Sequence, residues 1–589
     1  ITLNNLARFY EDDGDINKAI SLYKQGLSIA NDLFGSDSLE SAIIMNNLGQ
    51  SYLNKKDFKK ALKFTNKSLQ IRKKYYGINH PLTSLSFNNM AGVYRELGEH
   101  KKANNYAKKG LEIEFFLMQR EAPFLIEKQR FAFIESFGWG YDLAFSRGTK
   151  SLSGNELAYF VRLNRQGLLE DIEKRQAKLM NAPGEHLALV NKLNLITKKI
   201  SSKNLSISQR QDFYSQKMNL ERELYRLLPE LKPRIVQANQ VSKALPLNSV
   251  LIEYQLFLPF DETKPIANQW SEHRYIAFIL KPNNQLEAID LGTAGFIESK
   301  IQNALLASEQ GLTDAQILWE EVSDLVVKPL KEAIGGAETL FISPDEELNR
   351  IPFAALRSHK DDQLLGDSVN IRLLTTGREL LDLAYASQPT NQKPFVIANP
   401  AFNLIKDFPK KQEPELIVTN TSQQRSVALS NLTWSPLPGT AKEGKAIAEL
   451  TKAQLLTKNK ATALAVQEKK VAPKVLHIAS HAYFLPDQEE GENPLLRSGI
   501  VLAGANEPEA NPNDDGYLTA LEVTKLGLQN TELVVISGCE SGKGDIKSGE
   551  GVYGLKRAIA VAGARSSLLS LWKVEDTATA SFMKSFYLK

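Results

Sequence analysis

Cysteine is almost absent from this chain: one residue in 589, Cys539. A single thiol forms no intramolecular disulfide and no multi-thiolate zinc or iron–sulfur centre, so a reducing compartment is the expected home. Charge of one sign is lacking too. The 72 basic and 68 acidic residues leave a net charge of +4. Over this length that excess does not point to nucleic acid without a local patch. No apolar run reaches the roughly 18 residues that a membrane span needs, and no signal-peptide pattern opens the chain. A cytoplasmic protein without a membrane segment is expected. Ile1 falls inside a helical pattern and Lys589 closely follows one, so both ends read as cut.

What is present is ordinary globular material, 42% apolar and 24% charged, enough for several domains. The first feature is a repeat. Asn4-Asn5-Leu6, Asn46-Asn47-Leu48 and Asn88-Asn89-Met90 recur every 42 residues, with Tyr10, Tyr52 and Tyr94 and with Ala19, Ala61 and Ala103 in the same register. A small residue at one fixed site and large ones at others is what two packed antiparallel helices require. Gly35 and Gly77 stand where helix C-caps belong. Residues 1–118 thus resemble a tetratricopeptide array of the 42-residue, kinesin-light-chain kind. That resemblance implies an all-α solenoid that holds a peptide or protein partner. The lysine-rich stretch from Lys55 to Lys74 is either a site for an acidic partner or a solvated helix face.

Residues 119–244 keep a helical spacing without the register, as in LEDIEKRQAKLM, LVNKLNLITKKI and FYSQKMNLERELYRLL, punctuated by Pro183, Gly184 and Pro229. They read as connecting helical hairpins. From about residue 248 short β-rich runs begin: SVLIEYQLFL, RYIAFIL, ETLFIS and FVIAN, then KVLHIAS, SGIVLA, ELVVISG and SSLLSLW. Stretches of helical pattern separate them, TAKEGKAIAELT and GVYGLKRAIAVAG among them. Near-continuous apolar strands alternating with helices predict a mostly parallel, doubly covered sheet, with reactive groups at the carboxyl edge.

Two of these strands end in reactive side chains. KVLHIAS runs into His481 and ELVVISG into Cys539. An imidazole can take the proton of a thiol and return it to a leaving amine, and the glycines around Cys539 (Gly538, Gly542, Gly544, Gly549, Gly551) let amides approach a reacting carbonyl. The bland reading is a buried, inert cysteine and a packed histidine. His477 and His481 would make a metal pair only on a helix, and on a strand they lie about 13 Å apart, so His477 is expected to be structural. No metal or other cofactor is expected. GCESGKG has too few residues between its glycines for a phosphate loop, and Gly544 stands where Ser or Thr belongs.

HIASHAYF, DGYLTALEV, LVVISGCESGKG and GEGVYGLKRAIAVAGARSSLLSLWKVEDTAT, in that order, are similar to the CHAT domain, a caspase- and separase-related cysteine peptidase module. PDEELNRIPFAAL and LPGTAKEGKAIAEL extend the similarity upstream, to cover about residues 245–589. The resemblance implies a caspase-like α/β domain with a pseudo-protease half, 245–400, and an active half, 401–589. It implies a Cys539–His481 dyad endopeptidase acting through a thioester, with an oxyanion hole from the amides of Cys539 and Ala482. The family more often has glycine after the histidine. Ser537 replaces the acid that metacaspases carry two residues before the cysteine. LWKVEDTAT resembles the separase stretch whose acid reads a basic P1 residue, which would put Asp576 in the S1 pocket, selecting Arg or Lys. Alternatively, Asp576 caps the last helix. Asp515, in DGYLTA, reads as a turn or helix-start residue.

The polar segments 405–436 and 484–515 are candidates for mobility or processing, and the glycine-spaced loop 540–550 is where activation-linked ordering is expected. The leading expectation is a regulated endopeptidase that cuts a protein substrate under control of the repeat array. Family context implies bacterial defence or programmed cell death, with a gasdermin-like or CRISPR-associated partner. The competing expectation is an interaction scaffold with an inactive CHAT domain. Nucleic-acid binding through the lysine face is the least favoured.

Overall fold

The computed structural model describes residues 2–125, 127–137, 140–180, 184–200, 207–227, 232–261, 264–265, 268–358, 363–383, 390–404, 432–469, 471–485, 494–508, 514–547 and 551–589. Pro183, Pro229 and Gly549, and most of the expected mobile segment 405–436, lie outside them, as do 486–493, 509–513 and 548–550. The chain falls into two compact units. One comprises Ile1–Gln166, Leu193–Ala294 and Thr376–Leu380, and the other Gly167–Lys192, Gly295–Thr375 and Leu381–Lys589.

The first unit opens with three helix pairs, α1 (Thr2–Asp12) and α2 (Ile16–Phe34), α3 (Leu39–Asn54) and α4 (Phe58–Tyr76), α5 (Pro81–Glu96) and α6 (His100–Glu121). The 42-residue period is visible atom by atom. Ala19, Ala61 and Ala103 are 0%, 0% and 3% exposed, at the crossing points where only a methyl fits. Asn47 donates to Asn4 (3.0 Å) and Asn89 to Asn46 (2.8 Å), so the repeated asparagines stitch each repeat to the next. Gly14, Lys56 and Gly98 occupy the same left-handed position in the turns within the pairs. Gly35 and Gly77 terminate α2 and α4 as expected, each N–H bonding a carbonyl of the last turn. Asp15 and Asp57 cap α2 and α4 through their side chains, whereas Glu99 leaves α6 without a side-chain cap.

The lysine-rich stretch is less uniform than its sequence. Lys60 pairs with Asp57 and Lys67 with Asp37, both at 2.6 Å. Arg72 leaves the exposed set: it is 3% exposed and donates to Ser86, Asn46 and the Leu82 carbonyl.

The helix Leu152–Arg165 packs on α6 and covers an antiparallel sheet of β1 (Ser249–Phe257), β2 (Arg274–Leu280) and β3 (Leu286–Thr293). Tyr159 and Phe145 meet Phe278 of β2 with ring centroids 5.6 and 6.4 Å apart. Arg162 and Glu253 lie 3.9 Å apart with no exposed side-chain surface, and Glu253 also accepts the Gly377 N–H at 3.0 Å. The helical stretches expected between 119 and 244 are present, Leu168–Met180, Gly184–Ile200 and Ile207–Leu227 among them.

The second unit holds a parallel pair, β4 (Thr339–Ser343) with β5 (Asn370–Leu373), and a five-stranded sheet that is parallel throughout. Its strands are β6 (Phe395–Pro400), β7 (Gln454–Lys458), β8 (Val475–Ala479), β12 (Leu533–Ser537) and β15 (Ser567–Leu569), in the order β15-β12-β8-β6-β7. Between β8 and β12 come β9 (Ala482–Phe484), β10 (Ser498–Val501) and β11 (Tyr517–Thr519), an antiparallel trio in the order β11-β10-β9. The hairpin β13 (Gly544–Lys547) and β14 (Gly551–Gly554) follows β12. GVYG is therefore a strand and not the start of a helix; the helix begins at Leu555.

Period-two alternation assigns the two faces of the parallel sheet. Phe395, Ile397, Leu476, Ile478, Val534 and Ile536 point into one core with Leu555, Ala558 and Ile559. Val396, Ala398, Ala479 and Val535 point into the other with Ile447 and Met583. Among the described residues no helix is long and apolar enough to cross a membrane.

Close packing on the second face depends on Gly444. A Cβ there would stand 2.3 Å from the Ala398 Cβ of β6, an atom that cannot swing aside. Gly444→Ala is expected to lift the helix Pro438–Thr451 from the sheet and cost about 1–3 kcal/mol. Calorimetry should show an earlier thermal transition; an unchanged one would contradict this packing.

Candidate active site

β8 and β12 are neighbours and run parallel, with Ala479 paired to Ser537. His481 and Cys539 each lie two residues beyond the end of their strand, so the sheet delivers both to one carboxyl edge. Gly538 makes the approach possible. A Cβ on it would stand 2.4 Å from the Ser480 carbonyl oxygen and 3.2 Å from the Ala482 nitrogen. No other residue fits without parting the strand ends.

The cysteine loop is held by hydroxyls. Ser541 Oγ donates to the Ile536 carbonyl (3.0 Å) and accepts the Ser570 N–H (3.0 Å), while the Ser570 hydroxyl donates to the Gly538 carbonyl. Glu540 takes a left-handed conformation, φ 56°, and its N–H reaches the Trp572 carbonyl at 3.2 Å. Burial works against the charge of Lys543, but hydrogen bonds to Glu540 (2.8 Å) and Glu309 (2.9 Å) outweigh it and raise its pKa. Cys539 itself is half-buried, and its thiol donates to the Val574 carbonyl at 3.5 Å. Among the described residues no hydrogen bond joins it to His481.

The His481 ring lies against two aromatic rings, Phe402 and Trp434, each with its centroid 5.2 Å away. Trp434 is fixed in turn: its indole N–H donates to the Tyr517 hydroxyl at 2.9 Å, and its backbone bonds the Asn506 side chain at both N–H and C=O. The next residue supplies the orienting contact. His481 Nε2 lies 2.9 Å from the Ser435 carbonyl oxygen. A carbonyl only accepts, so Nε2 carries the proton, and the neutral ring keeps its lone pair on Nδ1. Burial pushes the His481 pKa down; the Ser435 bond and the charge of Asp576 oppose it without reversing it.

Two N–H groups border the same edge. The Cys539 N–H has no acceptor among the described residues. Val501 donates to the His481 carbonyl and Leu485 to the Arg497 carbonyl across the β9–β10 ladder. Antiparallel alternation then turns the Ala482 N–H away from β10. Ala482 opens a strand, an extended backbone that alanine adopts as readily as glycine.

Asp576 is the first residue of the helix Asp576–Leu588, but the capping residue is Glu575, whose carboxylate accepts the Ala578 N–H at 2.5 Å. The reading of Asp576 as the cap of its own helix is therefore corrected: an extended Glu575 already fills that place. Asp576 Oδ2 instead accepts the Gly439 N–H (2.5 Å), at the start of the helix Pro438–Thr451. Its Oδ1 has no hydrogen-bond partner among the described residues.

His477 lies mid-strand with no exposed surface, between Glu443 (3.0 Å) and the Tyr587 hydroxyl (3.2 Å) on the second core face. It is a satisfied core histidine. Asp515 accepts the Tyr517 N–H at 2.8 Å as a turn residue. Sequence reasoning missed Ser435, Trp434, Phe402, Ser541 and Ser570. Only Ser541, close to Cys539, and Ser570, in SSLLSLW, stood within motifs already noted.

A histidine that binds its proton less tightly folded than unfolded makes folding weaker as pH falls. The loss begins near the ordinary value of 6.5 and is complete below the depressed folded value. Between pH 7 and pH 5 the wild-type Tm should therefore fall further than that of His481→Asn, which does not titrate. Equal losses by differential scanning calorimetry would contradict the depressed pKa.

Comparison with known proteins gives matches at both ends. Residues 316–589 match the CHAT domain family, and residues 1–74 and 44–113 match the tetratricopeptide repeat. Human tetratricopeptide repeat protein 28 is 23% identical over 292 residues, 45% of this chain and 11% of that protein. Its mouse counterpart is 27% identical over 183 residues, 28% of this chain and 7% of that one. This chain thus spans a small part of those relatives' length. Among solved structures, a Podosopora anserina putative kinesin light chain with nearly identical TPR-like repeats is 16% identical, covering 38% of this chain and 96% of its own (TM-score 0.22). The Saccharomyces cerevisiae separase–securin complex is 11% identical, covering 100% of this chain and 47% of its own (TM-score 0.35). The chain therefore carries tetratricopeptide repeats at its N-terminal end and a CHAT domain at its C-terminal end.

Proposed function

We propose that this protein is a cysteine endopeptidase whose dyad is Cys539 and His481. The observation that carries the reading is the paired delivery of thiol and imidazole by β8 and β12, with no hydrogen bond to Nδ1 of His481 among the described residues. His481 Nδ1 takes the thiol proton as the sulfur attacks the scissile carbonyl carbon. The oxyanion that forms is held by the N–H groups of Cys539 and Ala482. The C–N bond then breaks, the imidazolium gives its proton to the leaving amine, and a thioester remains. Water, deprotonated by the same ring, hydrolyses it and frees the thiol. Cys539→Ala is expected to abolish cleavage of a protein substrate with far-UV circular dichroism unchanged; cleavage at the wild-type rate would refute the assignment.

In this reading Asp576 lines the S1 pocket and its Oδ1 receives an Arg or Lys side chain. Asp576→Asn keeps an oxygen for the Gly439 N–H while removing the charge. On a peptide library it should lose preference for Arg and Lys at P1 by tenfold or more, and a retained preference would remove Asp576 from the pocket. Segments 245–400 and 401–589 act as supporting and active halves, and repeats 1–118, through the connector 119–244, bind the partner that controls cutting. We read such an enzyme as bacterial and cytoplasmic, acting in defence or programmed cell death with a gasdermin-like or CRISPR-associated partner, a reading that the CHAT resemblance supports.

One observation favours the second reading, a scaffold with an inactive CHAT domain: the thiol donates to Val574 and not to His481. Alkylation by iodoacetamide separates the two. An active dyad gives a reaction of Cys539 that His481→Asn slows at neutral pH; equal rates in both proteins favour the scaffold.

A further inference from the structure

An N–H stabilises an oxyanion only when it points at the reacting carbonyl. The Cys539 N–H is one end of a rigid peptide unit whose other end is the Gly538 carbonyl. In a trans peptide the two point in opposite directions, so whatever holds the carbonyl aims the N–H. This unit is easy to turn. It rotates about ψ of Gly538 and φ of Cys539, and glycine has no Cβ to restrict the first. Gly538 has to be glycine, since a Cβ there would stand 2.4 Å from the Ser480 carbonyl oxygen. The residue that lets the strand ends approach is thus the one that leaves the amide free to turn. A half-turn would present a carbonyl oxygen to the oxyanion in place of the N–H.

One side chain opposes that turn. Ser570 directly follows β15, whose Leu569 pairs with Ile536 of β12, so the sheet sets its height beside the cysteine loop. All three of its polar groups go to that loop. Its N–H donates to Ser541 Oγ (3.0 Å), its carbonyl accepts the Gly542 N–H (2.8 Å), and its hydroxyl donates to the Gly538 carbonyl. Ser541 Oγ lies 3.2 Å from the same hydroxyl, but a carbonyl only accepts, so the contact with Gly538 requires the Ser570 hydrogen. The two backbone bonds already tether the loop. What the hydroxyl adds is the orientation of one peptide plane.

We propose that Ser570 is a positioning residue whose hydroxyl locks the 538–539 peptide with the Cys539 N–H turned towards the oxyanion. The same bond polarises the peptide and makes that N–H a stronger donor. This role rests on the peptidase reading of Cys539 and His481, and adds to it the group that keeps the oxyanion hole formed. Ser570 acts through the peptide and not on the dyad: among the described residues no hydrogen bond joins it to the thiol or the imidazole.

The test compares wild type, Ser570→Ala and Ser570→Thr in the full chain. Three quantities are read: turnover of the library peptide that the wild type cuts fastest, affinity for the matching peptide aldehyde, and alkylation of Cys539 by iodoacetamide. Hydrolysis and aldehyde addition both place a former carbonyl oxygen in the hole. Alkylation instead forms the S–C bond at a saturated carbon as iodide leaves, and needs no hole. Ser570→Ala is expected to lower kcat about ten- to a hundredfold with KM little changed, and to weaken the aldehyde about tenfold. Its alkylation rate should stay within about twofold of wild type, and Ser570→Thr, which keeps the hydroxyl, should recover turnover. Wild-type turnover in Ser570→Ala, turnover and alkylation lowered together, or no recovery in Ser570→Thr would overturn the positioning role and leave the peptidase reading standing. A wild type that shows no Cys539-dependent turnover and no aldehyde binding would overturn both.

Discussion

Five residue pairs hold β8 against β12, and the last of them, Ala479 with Ser537, sets the chemistry beyond. Parallel pairing in register means that equal steps past the strand ends reach equal heights. Two such steps carry one strand to an imidazole and the other to a thiol. Everything else at the edge preserves that arrangement. Gly538 removes the atom that would force the ends apart, Ser541 and Ser570 tie the loop to its own strand and to β15, and the trio β9–β11 directs the backbone after His481.

The histidine is also held from outside the strand. A carbonyl fixes its tautomer, two aromatic rings flank its plane, and a partly buried setting keeps it neutral at physiological pH. These supports come from residues 402 and 434–435, which belong to a different stretch of chain. Buried Glu443 and His477, with the half-buried Tyr587, anchor the same strand from its other face. β8 is thus pinned by polar contacts on one side of the sheet and presents His481 beyond the end.

Much of this could be read from residue order alone. The repeat was legible because packing recurs every 42 residues, so Ala19, Ala61 and Ala103 had to be small together. Cys539 and His481 were legible because each closes a run of apolar residues long enough to cross a sheet. The strands that escaped notice are edge or short ones. β5 and β7 are four- and five-residue strands at sheet edges that bury little, so they lack the long apolar run that marks a central strand. GVYG was misread because four glycine-flanked residues before a helical pattern carry no periodicity of their own. The contacts that orient the site could not be seen, since Ser435 is 46 residues from His481 and Gly439 is 137 from Asp576. No local pattern encodes a meeting across such distances.

The Asp576 carboxylate occupies a position with an evolutionary consequence. One oxygen anchors the helix that begins just after the strap bearing Ser435, and the charge of the whole group acts on the His481 ring. Under the proposed S1 assignment of Asp576, substrate preference and proton affinity share a single side chain. A lineage that changed this acid to accept a different P1 residue would shift the working pH of its base and loosen the strap in the same step. Trp434 and Phe402 touch the same imidazole without contributing a charge, so a change at either would alter the packing of the ring while leaving that carboxylate in place.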